Sequence, residues 1–320
     1  MRILVTGGAG FIGSNLVEKL LQDDRVTLVR VLDNFSTGST ENISEFNQSS
    51  KFELIEGDIR NYEACLDACN NIDSISHQAA LGSVPRSIKD PFTTNEVNIT
   101  GTLNIFNVAK EKNIKRIVYA GSSSTYGDHP GLPKKEETIG NPLSPYAVTK
   151  YVNELYADVF SRLYEMEFIG LRYFNIFGPK QNPKGPYAAV IPLFIKAILE
   201  VQPPIINGDG SHSRDFTFVD NAVQANILSL FTNNKEALNQ VYNIACGNQI
   251  SLLQLFEHLA KISGSKLRPV HGPERKGDVK HSLADIAKAA RLLNYKPSVT
   301  AEEGLQITFE WYKKQAEVKI

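Results

Sequence analysis

A glycine-rich turn directly after a short apolar strand constrains the fold of this chain more than any other feature. The strand covers Arg2 to Thr6, and the turn follows the spacing Gly-x-x-Gly-x-x-Gly with Gly7, Gly10 and Gly13. Glycine permits a tight turn, lets backbone N–H groups approach a pyrophosphate, and allows a helix to pack closely on a strand. The turn alone is compatible with an ordinary loop, so a second feature is needed to identify it as a nucleotide-binding turn.

An acidic residue at the end of the next predicted strand, Thr27 to Leu32, is that second feature. Asp33 stands twenty residues after Gly13, where a carboxylate can accept hydrogen bonds from the adenosine ribose hydroxyls. The same carboxylate would repel a 2′-phosphate, and no arginine follows it in Asn34-Phe35-Ser36. The sequence therefore predicts NAD rather than NADP as the cofactor.

Strands and helices alternate through the first half of the chain. After the first two strands we predict Phe52–Gly57, Ile72–His77, Arg116–Ala120 and Phe168–Arg172, with helices over Asn95–Lys112 and from about Pro145. This pattern predicts an α/β fold, a Rossmann-type doubly wound parallel sheet with a smaller C-terminal α/β substrate domain. We place the nucleotide domain at residues 1–176, with a return of the chain near 216–230, and the substrate domain at 177–320.

Ligands on such sheets bind beyond the carboxyl ends of the strands, where the polar and small residues of this chain recur. Asp58 and Ile59 are expected beside the adenine, and the small residues after Gln78 would let a cofactor approach the backbone. The predicted cofactor-binding residues are Gly7, Gly10, Phe11, Ile12, Gly13, Asp33, Asn34, Asp58, Ile59, Gln78, Ala79, Ala80, Asn98, Tyr146, Lys150 and Tyr173.

Tyr146 and Lys150 are four residues apart and would share one helix face. An ammonium beside a phenol favours the phenolate, which would let the tyrosine act as a base near neutral pH. A solvated helix pair explains the same spacing when nothing else accompanies it. Here the glycine turn and the serine run Ser122, Ser123 and Ser124 accompany it, so the three serines, the tyrosine and the lysine are the candidate catalytic residues.

Composition excludes several classes of function. The chain has 320 residues, 42 % of them hydrophobic and 22 % charged, with a formal net charge of −1, which gives no general attraction to nucleic acid or to an anionic membrane. No apolar segment reaches the length needed to span a bilayer. The three cysteines are sparse and odd in number, which suits a reducing cytoplasm, and no metal-ligand spacing occurs.

The assembled motifs resemble the extended short-chain dehydrogenases/reductases, and within them the nucleotide-sugar 4-epimerases. The stretches that carry the closer resemblance, to bacterial UDP-N-acetylglucosamine 4-epimerases of polysaccharide assembly, are 80–87, 122–128 and 142–146. The resemblance implies tightly bound NAD and a transient 4-keto sugar. Tyr146 would remove the O4 proton with help from Ser122, and Lys150 would bond the nicotinamide ribose. Ser123 and Ser124 are alternatives for Ser122.

The resemblance also implies a UDP-sugar site in the less regular second half. Arg214 and Arg275 would bind the pyrophosphate, because a guanidinium offers paired hydrogen bonds to phosphate oxygens. Asp278 would accept from the uridine ribose, and Ser282 would leave room for an N-acetyl group on the sugar C2. The predicted substrate-binding residues are Gly82, Ser83, Ser122, Ser123, Asn175, Ala189, Val190, Asn207, Gly208, Arg214, Arg275, Asp278 and Ser282.

Alternatives remain at this point. Asn248-Gln249 departs from the Asp-Arg of similar enzymes, so unacetylated sugars and C6-oxidised uronic acids stay open as substrates. A dehydratase or decarboxylase on the same scaffold and a non-catalytic NAD-sensing protein are the competing functions. We expect a cytoplasmic homodimer that pairs through the helices near Asn95–Lys112 and Pro145–Tyr164, and no nucleic-acid or membrane partner.

Overall fold

A computed structural model describes residues 1–183, 188–273 and 279–317. The strands are β1 (Arg2–Thr6), β2 (Leu28–Asp33), β3 (Phe52–Glu56), β4 (Ser74–His77), β5 (Arg116–Ser122), β6 (Glu167–Tyr173), β7 (Ile176–Phe177), β8 (Ile205–Asn207), β9 (Ser213–Arg214), β10 (Thr217–Phe218), β11 (Gln240–Ile244), β12 (Ile250–Ser251) and β13 (Val270–Gly272). The helices are α1 (Phe11–Leu21), α2 (Tyr62–Ala68), α3 (Val84–Lys89), α4 (Pro91–Asn95), α5 (Thr102–Glu111), α6 (Pro145–Tyr164), α7 (Val190–Leu199), α8 (Val219–Phe231), α9 (Leu252–Ser263), α10 (Ala287–Leu293) and α11 (Ala301–Glu317).

Within the described ranges, seven parallel strands form the central sheet in the order β3-β2-β1-β4-β5-β6-β11. The residues of β1 alternate between its two faces, as the pleat of a strand requires. Ile3 and Val5 join the core beneath α1 and α8, and Leu4 joins the core beneath α2, α5 and α6. Helices therefore cover both faces, and the predicted doubly wound α/β fold is confirmed.

The strand order reverses between β1 and β4, which opens a crevice at the carboxyl edge of the sheet.

Two elements of the fold differ from the sequence prediction. The helix predicted to begin at Asn95 begins at Pro91, because the Asp90 side chain caps it by accepting from the Thr93 N–H, and a π-helical stretch, Glu96–Gly101, continues it into α5. The return of the chain also extends beyond residue 230, since β11 adds the seventh strand beside β6.

The remainder of the chain forms a smaller α/β layer beside the carboxyl edge. Its short strands pair as β8 with β13 and β9 with β12, while α7 and α11 both pack on α9. The Ser251 side chain and Gln254 cap α9 reciprocally. This layer brings residues 213–214 and 279–285 to the crevice.

A buried ion pair ties α6 to β6 beneath the crevice. Arg172 donates from Nε and Nη2 to the two carboxylate oxygens of Glu154, at 2.9 and 2.7 Å. The guanidinium also stacks on the Tyr126 ring, 4.8 Å from its centroid. Because the pair is bidentate and shielded from water, removal of one partner leaves the other charge buried and unneutralised.

We expect Glu154→Gln to lower the free energy of unfolding by about 3–5 kcal/mol, since Arg172 would lose its counter-ion in the interior. Urea unfolding followed by circular dichroism measures the change. Asp158→Asn is the matched control, because it breaks a solvent-exposed pair with Arg162 on the same helix and should change the free energy by less than about 0.5 kcal/mol. Equal effects of the two substitutions would contradict the assignment.

Candidate functional site

A cavity of about 1100 Å³ occupies the crevice at the carboxyl edge of the sheet. It receives residues from the ends of β2, β5 and β6, from the loops that follow β1 and β4, and from the smaller layer. The predicted residues that line it are Gly7, Gly10, Phe11, Ile12, Gly13, Asp33, Asn34, Asp58, Ile59, Gln78, Ala79, Ala80, Gly82, Ser83, Ser122, Ser123, Ser124, Tyr146, Lys150, Tyr173, Asn175, Arg214 and Ser282.

Five predicted residues do not line this cavity: Asn98, Ala189, Val190, Asn207 and Gly208. The amide of Asn98 is fully buried and is used by the protein itself, because it bonds both backbone groups of Leu81 and donates to the Thr149 hydroxyl. Asn98 therefore holds the cavity loop in place from behind.

The other four residues belong to secondary structure of the smaller layer. Ala189 and Val190 form the start of α7, and Asn207 pairs with Gly272 in the β8–β13 ladder. The Gly208 N–H donates to the Gly272 carbonyl at 2.9 Å. Arg275 and Asp278 lie outside the described residues.

The glycine turn packs so tightly that side chains are excluded. A Cβ on Gly13 would lie 2.1 Å from the Gly7 carbonyl oxygen, and a Cβ on Gly7 would lie 2.7 Å from the Ala79 nitrogen. Gly7 also has a φ of +70°, which favours glycine. The first turn of α1 then begins at Gly10 without a side-chain cap or an acidic residue, so its N–H groups are available to an anion.

Asp33 is held at the end of β2 by the backbone. Its Oδ2 accepts from the Ala9 N–H at 2.9 Å and its Oδ1 accepts from the Phe35 N–H at 2.8 Å. These bonds fix the carboxylate in the cavity wall. Beyond it, Asn34 donates to Asp58 at 2.7 Å, and the neighbouring Arg60 lowers the pKa of Asp58 to about 2, so Asp58 stays ionised.

These features fit an NAD molecule. The open N–H groups of α1 suit a pyrophosphate, the fixed Asp33 carboxylate suits two ribose hydroxyls, and the close approach of Gly7 to Ala79 leaves a bare backbone surface beside them. The cavity wall next to Asp33 carries Ser36 and Thr37 and, among the described residues, no arginine that would receive a 2′-phosphate.

The candidate catalytic residues meet where β5 ends and α6 begins. The Ser144 side chain caps α6 by accepting from the Ala147 N–H, which places Tyr146 and Lys150 on the first turns facing β5. The Ser122 side chain lies close enough to the Tyr146 hydroxyl to lower the pKa of the phenol. The Lys150 ammonium donates to the Ala120 carbonyl at 3.0 Å.

The electrostatics of this cluster depend on burial. Burial raises the pKa of Tyr146, and the smaller effect of the neighbouring Ser122 side chain lowers it. Burial lowers the pKa of Lys150 to about 8, and its Nζ lies 6.0 Å from the centroid of the Tyr146 ring. The protein alone therefore holds the phenol protonated, and the phenolate expected from the sequence needs a further positive charge in the cavity.

The serine run forms a hydrogen-bonded turn, Ser123–Tyr126, after β5. The Ser124 hydroxyl donates to Ser122 Oγ at 2.9 Å, and the Ser124 N–H donates to the same oxygen at 3.2 Å. Ser122 thus stands between Ser124 and Tyr146, and it is the serine that contacts the tyrosine.

A buried network of hydrogen bonds supports the cavity wall at Tyr173. The Tyr173 hydroxyl donates to Gln78 Oε1 at 3.0 Å and accepts from Asn226 Nδ2 at 2.7 Å. Burial raises the pKa of Tyr173 to about 12, so this group remains a neutral phenol. The network connects β4, β6 and α8, which fixes the floor of the cavity.

The smaller layer supplies the opposite wall. Arg214 donates from Nη1 to the carbonyls of Ser213 and Lys280, both at 3.0 Å, and the Ser282 N–H donates to the Ser213 carbonyl at 3.1 Å. Asn175 donates to the Asp215 carbonyl at 3.1 Å. These bonds bring the predicted sugar and phosphate residues to one side of the cavity.

Sequence reasoning missed several residues in the wall, among them Lys134, Leu143 and Gln181. Ser144 could have been found, because Ser-Pro is a common start of a helix. Lys134 and Gln181 lie in irregular segments, and only the tertiary fold brings them to the cavity.

None of the helices in the described ranges is long and apolar enough to cross a membrane. The same part of the chain contains no cluster of three or more histidine, cysteine, aspartate or glutamate residues arranged to hold a metal ion.

Comparison with known proteins identifies relatives of the whole chain. The profile described as the NAD dependent epimerase/dehydratase family matches residues 3–245. The structure is similar to the UDP-N-acetylglucosamine 4-epimerase of Methanobrevibacter ruminantium M1 in complex with UDP-N-acetylmuramic acid, with 39 % identity, 98 % of each chain covered and a TM-score of 0.92.

Two further relatives carry different sugar names. The UDP-glucose 4-epimerase of Mycolicibacterium smegmatis is 34 % identical over 319 residues, which cover 99 % of this chain and 100 % of the relative. The UDP-glucuronic acid 4-epimerase of Bacillus cereus, solved with UDP-glucuronic acid and NAD, is 34 % identical, with 98 % and 100 % of the two chains covered and a TM-score of 0.90.

Proposed function

Because the chain belongs to the NAD dependent epimerase/dehydratase family, we propose that it interconverts UDP-GlcNAc and UDP-GalNAc through a transient 4-keto sugar. UDP-glucose and UDP-galactose, and the uronic acid forms, are the alternative substrates. Relatives named as 4-epimerases of UDP-sugars align along nearly the full chain, so the protein is an NAD-dependent nucleotide-sugar 4-epimerase. The observation that carries the proposal is the position of Ser122, Tyr146 and Lys150 in the same cavity as the glycine turn and Asp33.

Tyr146 is the group that moves the proton of the sugar O4 hydroxyl. NAD, held by the glycine turn and Asp33, would supply a reversible hydride acceptor for C4 of the sugar. Tyr146 would remove the O4 proton and give it back, with Ser122 bonded to both oxygens as a relay. Lys150 lies one helical turn from Tyr146 and would hold the nicotinamide ribose while its charge favours the phenolate.

The residues of the serine turn argue against the competing dehydratase and decarboxylase reactions. A dehydratase needs an acid and a base to remove water across C5 and C6, and similar dehydratases carry an Asp-Glu pair where this chain has Ser123 and Ser124. Serine hydroxyls cannot replace that pair at neutral pH. A decarboxylase fits the serine turn less well than an epimerase does. A non-catalytic NAD sensor would not need Tyr146 and Lys150 together.

The UDP end is proposed for the wall formed by the smaller layer, residues 177–320. Arg214 would bind the pyrophosphate with help from Arg275, and Asp278 would accept from the uridine ribose. Asn175 lines the same cavity and donates to the Asp215 carbonyl, which supports a contact with the nucleotide sugar.

Incubation of purified protein with UDP-GlcNAc, without added cofactor, should yield UDP-GalNAc that chromatography separates. We expect Tyr146→Phe to lower kcat by about 10²- to 10⁴-fold, because the phenol is the proton-transfer group. The variant should retain NAD, since the glycine turn and Asp33 are unchanged.

Tyr151→Phe is the matched control, because it removes the hydroxyl of another tyrosine on α6 that does not line the cavity. Full activity of Tyr146→Phe would overturn the mechanism. Wild-type protein that contains NAD but converts no UDP-sugar would favour the sensor.

Ser282 supports the choice of an N-acetylated sugar, because a small side chain in the cavity wall leaves room for that group. We expect Ser282→Tyr to lower kcat/KM for UDP-GlcNAc about 10- to 200-fold relative to UDP-glucose, as one small group in a pocket usually does. Ser282→Ala should keep the wild-type ratio. An unchanged ratio in Ser282→Tyr would remove Ser282 from the specificity argument.

A homodimer through α6 is supported by an apolar stripe on its outer face. Val148, Leu155, Val159 and Leu163 are all exposed, and their spacing of seven, four and four residues places them on one face of the helix. The second predicted helix, residues 95–112, exposes no comparable stripe among its described side chains. A large exposed apolar face is typical of an oligomer interface.

We expect the double substitution Leu155→Glu and Leu163→Glu to convert a dimer to a monomer, because it puts charges into the paired apolar faces. Light scattering after size-exclusion chromatography measures the mass. Leu193→Glu on α7 is the control, since that residue is comparably exposed outside the stripe. A wild-type monomer would exclude the interface.

The cytoplasm remains the proposed location. The three cysteines are free, and Cys65 and Cys69 are buried, as a protein in a reducing compartment allows.

A further inference from the structure

Lys134 is a charged residue in the cavity wall. The proposed 4-epimerisation gives it no role. Its side chain is only 5 % exposed, yet it lines the same cavity as Ser122 and Ser282. Its ammonium donates to the carbonyl of His129. One carbonyl uses one of the three N–H donors of a lysine.

The chain fixes Lys134 at the junction of the two halves. Residues 128–141 form a loop closed at its base, where the Asp128 carboxylate accepts from the backbone and side-chain N–H groups of Asn141. Near its middle, the Lys134 N–H donates to Leu283 at 2.7 Å, and its carbonyl accepts from Asp285 at 2.9 Å. The backbone of Lys134 is therefore held independently of its side chain.

This pairing places Lys134 beside Ser282, the residue proposed to face the sugar. Lys134 forms a parallel bridge with Ala284, and Ser282 lies two residues before Ala284. Because side chains two residues apart on extended backbone point the same way, the side chains of Lys134, Ser282 and Ala284 are expected on the same side of this pairing. His129, which accepts from the ammonium, follows the serine turn and donates its own N–H to Tyr126 at 3.1 Å. The ammonium is thus held at the His129 carbonyl, next to the Ser123–Tyr126 turn, in the cavity that Ser122 and Ser282 also line.

No acidic partner neutralises this charge in the described part of the chain. Neither an aspartate nor a glutamate there forms an ion pair with Lys134, and burial alone lowers the pKa of its ammonium. A buried charge without a counter-ion is costly. Arg172, a buried cation nearby, is neutralised by Glu154, whereas Lys134, like Lys150, has only a backbone carbonyl as its partner among the described residues.

We propose that Lys134 is a specificity residue whose ammonium binds a carboxylate on the sugar, so that the enzyme uses uronic acid UDP-sugars better than their neutral counterparts. This rests on the proposed 4-epimerase function and narrows its substrate class. A carboxylate on the sugar supplies the missing counter-ion and accepts hydrogen bonds from the remaining N–H groups of the Lys134 ammonium. A hydroxymethyl group at C6 leaves the charge of Lys134 unneutralised.

The test measures kcat/KM for UDP-GlcNAc and for the sugar in which its C6 is oxidised to a carboxylate, with wild type and Lys134→Met. Wild type should prefer the uronic acid by at least about tenfold. Lys134→Met should lower kcat/KM for the uronic acid roughly 10- to 100-fold, as expected when a hydrogen bond to a charged group is lost, and should change the value for UDP-GlcNAc by less than about threefold.

Lys135→Met is the matched control, because it removes the charge of the exposed neighbour and should keep the wild-type preference. Thermal unfolding checks the fold, and Lys134→Met should be no less stable than wild type, since it removes an unneutralised buried charge. A clear loss of stability with equal losses for both sugars would show a structural lysine and overturn the proposal.

Other outcomes separate the two proposals. A preference for the uronic acid that survives in Lys134→Met, or a wild type that prefers the neutral sugar, overturns the role of Lys134 and leaves 4-epimerisation standing. A wild type that epimerises neither sugar overturns the proposed function and the role of Lys134 with it.

Discussion

The site depends on one close approach of backbone to backbone, at the point where β1 ends. Gly13 on the first turn of α1 packs against the Gly7 carbonyl, and Gly7 packs against Ala79 after β4. Any side chain at these two glycines would separate α1 from the sheet and the two central strands from each other. The same contact leaves the N–H groups of α1 uncovered, so the packing that closes the fold also creates the surface for a pyrophosphate.

Around this contact the protein places its charges unevenly. The adenosine end carries the Asp33 carboxylate, held by two backbone N–H groups, and the opposite end carries the ammonium groups of Lys150 and Lys134. Between them, His77 is buried and bonded to the hydroxyls of Thr6 and Thr102, and burial lowers its pKa to about 3. The histidine therefore stays neutral, and the positive charge remains with the lysines.

The sequence predicted those parts of the site that follow from regular structure. The glycine turn, Asp33 and the Tyr146–Lys150 pair were found because each sits at the end of a strand or on the first turns of a helix, where local pattern fixes position. Asn98 was expected at the cofactor, and its amide bonds the backbone of Leu81, a residue of the cavity wall. Pattern cannot tell which partner a buried amide will find. The strand β11 was missed because it is only five residues long, Gln240–Ile244. So short a segment shows too little hydrophobic periodicity to be recognised as a strand unless the neighbouring strand β6 is known.

Lys134 shows where local reasoning ends. Nothing in its neighbourhood in the sequence distinguishes it from Lys135, yet one is buried and the other exposed. The difference arises because the carbonyl and N–H of Lys134 pair with residues about 150 positions later in the chain, which turns its side chain inward. Since those later residues directly follow Ser282, the same backbone pairing positions both Ser282 and Lys134 in the cavity wall. If Ser282 and Lys134 act as proposed, size and charge selection would be coupled, and a change of backbone at 282–285 would alter both.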